Sequence, residues 1–111
     1  MKIYLAGKIT GLPHEEASAL FGQAEHEIAR AGHTPLNPLT RVDQTEGRTY
    51  NEYLLDALRI MMLEAEAVYF LDNWIDSKGA RIEFAIANET DMTIYRHLDE
   101  MPIGCDWPEP V

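Results

Sequence analysis

The run Ala67-Val68-Tyr69-Phe70-Leu71 is apolar at every position. A strand with one wet face alternates apolar and polar residues. A strand without a polar position is buried on both faces, as at the centre of a parallel sheet. The surrounding chain must therefore supply other strands to pair with it and helices to cover both sides.

Lys2 to Ala6 reads as a second buried strand, followed by the loop Gly7 to Pro13. Ala17, Leu20, Phe21, Ala24, Ile28 and Ala31 recur at helical spacing, which predicts a helix over about 15–31. Gly32 ends it as a left-handed residue past the last turn. Thr34-Pro35-Leu36 reads as a short edge strand, because proline cannot donate to a ladder. Asn37 to Thr49 reads as a long loop, a second helix follows over about 50–65, and Asp72 to Asp76 is again loop. Ser77 to Glu89 reads as a third helix and Met92 to Tyr95 as a fourth strand, before an irregular tail from Arg96 with Pro102, Pro108 and Pro110. Strands alternating with helices predict an α/β fold, a flavodoxin-like three-layer sandwich whose parallel sheet runs 2-1-3-4 under right-handed crossovers. The pattern supplies four strands and leaves a fifth open. Ligands in such sheets bind beyond the carboxyl ends of the strands where the winding reverses. That point is served by the Gly7–Pro13 and Asp72–Ser77 loops.

The 111 residues, 46% of them hydrophobic, suffice for one domain with a single core. A formal charge of -10 with scattered basic residues disfavours a nucleic-acid polymer as partner. A single cysteine, Cys105, forms no internal disulfide and fits a reducing compartment. The apolar opening Met1 to Ala6 is too short for a signal peptide or a membrane span, so a soluble, cytoplasmic protein without a membrane partner is expected. His14, His26, His33 and His97 show no ligand spacing with one another or with Cys105, so no metal is expected.

Glu83 is the residue that points to chemistry. At roughly 100° per residue, Lys78, Arg81, Asn88 and Glu89 share one side of the third helix, whereas Glu83 projects from the middle of its apolar side. Burying even a neutral polar group without a partner costs about 2–7 kcal/mol, so the position implies a specific partner or a function. A structural carboxylate bonded to a core amide or an arginine fits the pattern equally. Gly7, Thr10 and Gly11 sit in a loop whose amides and hydroxyl could hold sugar or phosphate oxygens, although a plain strand-to-helix turn reads the same way. Ser77 caps the third helix in either case, and a phosphate bound there would meet the amides of Lys78 and Gly79. Tyr4 could fill the core or hold a carboxylate from the neighbouring helix. Asp72 lies just past the third strand, at the catalytic edge of the sheet. Asp56 shares a helical phase with Glu52 and Arg59, consistent with a solvated face and an Asp56–Arg59 pair.

Taken together, Lys2-Ile3-Tyr4-Leu5-Ala6-Gly7 with Thr10-Gly11, Leu36-Asn37-Pro38, Ala67 to Leu71 with Trp74, and Ser77-Lys78-Gly79-Ala80-Arg81-Ile82-Glu83 with Ala87 resemble the nucleoside 2-deoxyribosyltransferase superfamily. The resemblance runs from residue 1 to about 95 and is nearest to a small, often phage-associated branch, a domain of unknown function. It implies that Glu83 attacks the anomeric carbon of a nucleoside, that Tyr4 positions it, and that Asp56 contacts the sugar or assists the departing base. Asp72 is the other candidate for that acid. The resemblance also implies substrate contacts from Gly7, Thr10, Gly11, Asn37, Trp74, Ser77 and Gly79. Ser77, six residues before the glutamate, matches the 5′-monophosphate hydrolases rather than the transferases, whereas Lys8-Ile9-Thr10 departs from the Ser and Arg those hydrolases carry. The expected function is cleavage or transfer at the N-glycosidic bond of a nucleoside or nucleotide, with no cofactor. A non-catalytic nucleotide-binding module, and a structural domain whose Glu83 pairs in a subunit interface, are the competing readings. Two geometric expectations follow: a hydrogen bond from the Tyr4 hydroxyl to Glu83, and a homodimer packed through the second helix, which is apolar at Leu54, Leu55, Leu58, Ile60, Met61, Met62 and Leu63.

Overall fold

The computed structural model describes residues 1–42 and 47–100. Four strands, β1 (Lys2–Ala6), β2 (Thr34–Leu36), β3 (Ala67–Phe70) and β4 (Thr93–Tyr95), form one all-parallel sheet in the order β2-β1-β3-β4. Helices α1 (His14–Arg30), α3 (Tyr50–Glu64) and α4 (Lys78–Glu89) connect them, and a short helix α2 (Pro38–Arg41) follows β2. The fold is α/β and flavodoxin-like, as the alternation of elements predicts. The Asn37–Thr49 segment is not loop throughout: Asn37 caps α2 by accepting from the Leu39 N–H at 3.0 Å, with Pro38 in the first turn where its missing N–H costs nothing. Part of that segment, and the end of the irregular tail with Cys105 and its prolines, lie outside the described residues.

Register assigns each side chain to a face. Tyr4 stands opposite Leu36 on one side and Val68 on the other, so β1 is fixed by both neighbours. Ile3, Leu5, Ala67, Tyr69 and Leu71 point to the α1 face, where Phe21, Ala24 and Ile28 meet them. Tyr4, Ala6, Val68 and Phe70 point the other way and pack with Ala57 and Met61 of α3 and Ala87 of α4. Both faces are apolar, which is why β3 shows no alternation in sequence. Gly32 adopts φ +91° at the end of α1, the left-handed stop that its position predicts. Among the described residues no helix is long and apolar enough to cross a membrane.

A candidate active site around Glu83

Ser77 opens α4 by accepting the Ala80 N–H at 3.1 Å, which sets the phase of the helix. That phase buries Ala80, Glu83 and Ala87, one residue per turn, against the sheet. The two alanines let the helix come close, and Glu83 between them is only 5% exposed. Its Oε2 accepts a hydrogen bond from the hydroxyl of Tyr4, itself 1% exposed, across a separation of 79 residues. This is the bond expected from the sequence. Burial raises the Glu83 carboxyl to about 8, and the Tyr4 hydrogen bond acts the other way without cancelling it. The Tyr4 phenol is pushed well above its ordinary value, first by burial and then by the charge of Glu83.

Glu83 forms part of the wall of a cavity of about 590 Å³, within the range of small-molecule sites. The loop after β1 contributes Gly7, Lys8, Ile9, Thr10 and Gly11. From α3 come Tyr50, Tyr53, Leu54 and Ala57, a face at helical spacing, and from the start of α4 come Ser77, Lys78, Gly79 and Ala80. The cavity thus lies beyond the carboxyl ends of the strands, between the two loops that the topology brings together. Those loops are tied to each other: the Lys8 N–H donates to Asn73 Oδ1 at 3.0 Å. Gly7 allows this approach, since a β-carbon there would stand 3.1 Å from both Asn73 Oδ1 and Leu71 Cβ. Gly11 turns the loop with φ +92°.

Six of the sequence-derived candidates besides Glu83 line this cavity: Tyr4, Gly7, Thr10, Gly11, Ser77 and Gly79. Four do not. Asp72 is exposed and belongs to a second, smaller cavity with Leu20, Ala24 and Tyr69, on the α1 face. β3 ends at Phe70, and the turn at Asp72 and Asn73 leaves the Asp72 side chain on the α1 side of the sheet, away from Glu83. Asp56 lies off the 50-53-54-57 face of α3 and pairs with Arg48 rather than with Arg59. Asn37 is buried as the α2 cap. Trp74 stacks on Phe84 with ring centroids 4.7 Å apart and an interplanar angle of 19°, and Arg96 sits over its ring at 5.3 Å. Asp56, Asn37 and Trp74 have structural partners instead.

Sequence reasoning passed over Tyr50, Tyr53 and Asp76 as cavity residues, and named Lys78 for its backbone amide alone. For the two tyrosines the signal was present, because positions 50, 53, 54 and 57 recur at helical spacing. Asp76 and Lys78 flank Ser77 and had no pattern of their own.

Residues 1–96 match the family described as Domain of unknown function (DUF4406). The chain belongs to this family. The match runs from β1 through β4, so the whole sheet and every cavity residue named above fall inside the DUF4406 domain. Comparison with curated proteins and with solved structures gives no match.

Proposed function

We propose that this DUF4406 protein breaks, or breaks and re-forms, the N-glycosidic bond of a nucleoside or nucleoside 5′-monophosphate. The observation that carries the reading is the Glu83 carboxyl, buried in a ligand-sized cavity and held by the hydroxyl of Tyr4. In its ionised form, one Glu83 oxygen attacks C1′ as the bond to the base nitrogen breaks. The bonding electrons leave with the base, which takes up a proton from solvent; the water or acceptor base of the second step returns one. The transition state resembles an oxocarbenium ion, so a carboxylate beneath C1′ stabilises it before forming the covalent ester. Water attacking C1′ releases the sugar and returns Glu83; a second base attacking there completes a transfer. Both steps balance with substrate, water or acceptor base and Glu83. Tyr4 aims the carboxylate and lowers its pKa toward neutrality. Gly7, Thr10, Gly11, Ser77 and Gly79 are the groups available to sugar or phosphate oxygens.

The test is a panel of the common nucleosides and their 5′-monophosphates, followed for free base by chromatography with wild type and Glu83→Ala. Base release that depends on Glu83 supports the reading. Unchanged compounds across the panel would sink it.

The same carboxyl motivates a second reading. With its pKa raised to about 8, Glu83 is mostly protonated at neutral pH and can donate a hydrogen bond to a ligand without reacting. A nucleotide-binding module would then show calorimetric binding with no turnover. A structural domain whose Glu83 pairs in a subunit interface is the third reading; within this chain Glu83 already has Tyr4 as its partner.

The proposal extends to assembly and setting. Leu55, Met62 and Leu63 of α3 stay 64%, 51% and 77% exposed, an apolar stripe that supports a homodimer packed through this helix. Sedimentation showing a monomer at micromolar concentration would refute it. The single cysteine supports a cytoplasmic, reducing setting.

A further inference from the structure

Tyr4 and Tyr50 both line the cavity, yet they are built into it differently. Tyr4 is 1% exposed and its hydroxyl is bonded to Glu83. Tyr50 is 40% exposed, and its hydroxyl makes no hydrogen bond to a described residue. A tyrosine that serves mainly to fill a core is buried with its hydroxyl satisfied. Tyr50 contributes little to the core and leaves much of its ring uncovered at the cavity.

Its backbone is nevertheless fixed. Tyr50 is the first residue of α3, directly after a capping box in which Thr49 accepts the Glu52 N–H at 3.1 Å and Glu52 accepts the Thr49 N–H at 3.2 Å. From there the side chain crosses the cavity to α4. Its Oη lies 2.9 Å from the place a β-carbon on residue 79 would take, so glycine at 79 is what seats the phenol. Gly79 and Glu83 are four residues apart on α4, a rise of about 6 Å along its axis. The phenol oxygen is therefore seated about one helical turn from the residue that carries the reacting carboxyl, and both side chains line the same cavity. Leu54, which also approaches Gly79, continues the apolar wall.

We infer that Tyr50 is the specificity-determining residue of this site, the surface on which the heterocyclic base packs, so that the cavity selects a sugar bearing a flat ring over the same sugar without one. The inference rests on the glycosidic reading for its ligand class. Stacking is supplied by the ring, and the hydroxyl serves to seat the ring over Gly79. Base–aromatic stacking changes affinity by about tenfold or more on truncation to alanine.

The experiment is calorimetric titration in a Glu83→Gln background, so that nothing is turned over. The ligands are 2′-deoxyadenosine and 2′-deoxycytidine, each as nucleoside and 5′-monophosphate, set against 2-deoxyribose and 2-deoxyribose 5-phosphate. Tyr50→Ala is expected to weaken every base-bearing ligand about tenfold or more, while the two sugars bind as before. Tyr50→Phe keeps the ring and is expected to stay within about threefold. Gly79→Ala pushes the phenol aside and should weaken the base-bearing ligands too, and adding Tyr50→Phe, which removes the colliding oxygen, should restore them. Equal losses for sugars and nucleosides, no loss in Tyr50→Ala, or a Gly79→Ala loss that Tyr50→Phe does not relieve would each overturn the inference. Glu83-dependent base release that ignores Tyr50 sinks this inference and leaves the glycosidic reading standing. Tyr50-dependent binding without base release does the reverse, and absence of both overturns both.

Discussion

Against the α1 face of the sheet, α1 buries Ala17, Phe21, Ala24 and Ile28; against the opposite face, α4 buries Ala80, Glu83 and Ala87. Both are amphipathic helices over one parallel sheet. The first sets Phe21 and Ile28 among its alanines to seal its face, and the second sets a carboxyl between two alanines. A cavity lies on each side, of about 590 Å³ beside Glu83 and about 350 Å³ beside Asp72. In the smaller one the acidic residues, Glu27 and Asp72, stand at least partly in solvent. Only in the larger is a carboxyl enclosed enough to change its protonation. The comparison teaches that enclosure, rather than closeness to the strand ends, sets the protonation of an acid here.

The largest effect that could break this contrast is on turnover. Glu83→Ala should reduce base release about 10³-fold or more, as loss of a nucleophile does. Asp72→Ala should leave kcat/KM within about threefold. A large loss in Asp72→Ala would return the chemistry to the α1 face. The next effect is on stability alone. Phe21 is fully buried, so Phe21→Ala should cost about 3–5 kcal/mol in urea unfolding while ligand affinity stays unchanged in the folded protein.

Protonation sharpens the same contrast. Glu83 has an ordinary value of 4.5 and is raised to about 8 by burial, so between these two values the folded state holds a proton that the unfolded state has lost. Stability linked to this group is full below the unfolded value and falls as pH rises toward the folded one. From pH 5 to pH 8 wild type should lose about 3 kcal/mol relative to Glu83→Gln in urea titrations. Parallel curves for the two proteins would mean that Glu83 is ionised when buried. Since attack needs the carboxylate, kcat/KM for base release should rise with pH to a plateau, with a midpoint near 8.

Smaller again is the loss of the phenol that holds the carboxyl. Tyr4→Phe removes a hydrogen bond that lowers the Glu83 pKa, so the rising limb should move to higher pH. The rate at neutral pH should fall about tenfold, the equivalent of roughly one pKa unit. An unmoved limb would show that Tyr4 only fills space. Least of all, Asp56→Asn breaks a partly exposed pair with Arg48 and should cost no more than about 1 kcal/mol of stability. It should leave base release within about threefold; a larger loss would restore Asp56 to the site.

Much of the architecture was legible because each strand and helix carried its own pattern. Lys2–Ala6 and Thr34–Leu36 read with the observed bounds, and helix bounds differed by a residue or so. The short helix α2 did not read as one, because four residues hold too few turns to show a period and its evidence is a cap, Asn37 beside Pro38. Within the site, Glu83 was visible as a break in an apolar pattern, whereas Tyr4 read equally as a core residue or as the holder of a carboxylate. Asp72 misled because loop position says where a residue sits along the sheet edge, not which face it turns to. The partner of Asp56 was unreadable, since Arg48 precedes α3 and lies outside any helical spacing.

The Tyr4–Glu83 bond closes nearly the whole length of the domain, from the first strand to the last helix. Nothing short of the complete chain order can make it: β1 must already lie between β2 and β3, and α4 must have docked over them. Parallel pairings of this kind pay their loop-closure entropy before they gain contacts, and they form slowly. On refolding, the Trp74–Phe84 stack beside α4 can form from residues ten apart, whereas the carboxyl finds its phenol only when the sheet is whole. Recovery of ligand binding should therefore trail any local signal from Trp74 and coincide with the last cooperative step. A collapsed chain with all its helices in place would still be inert.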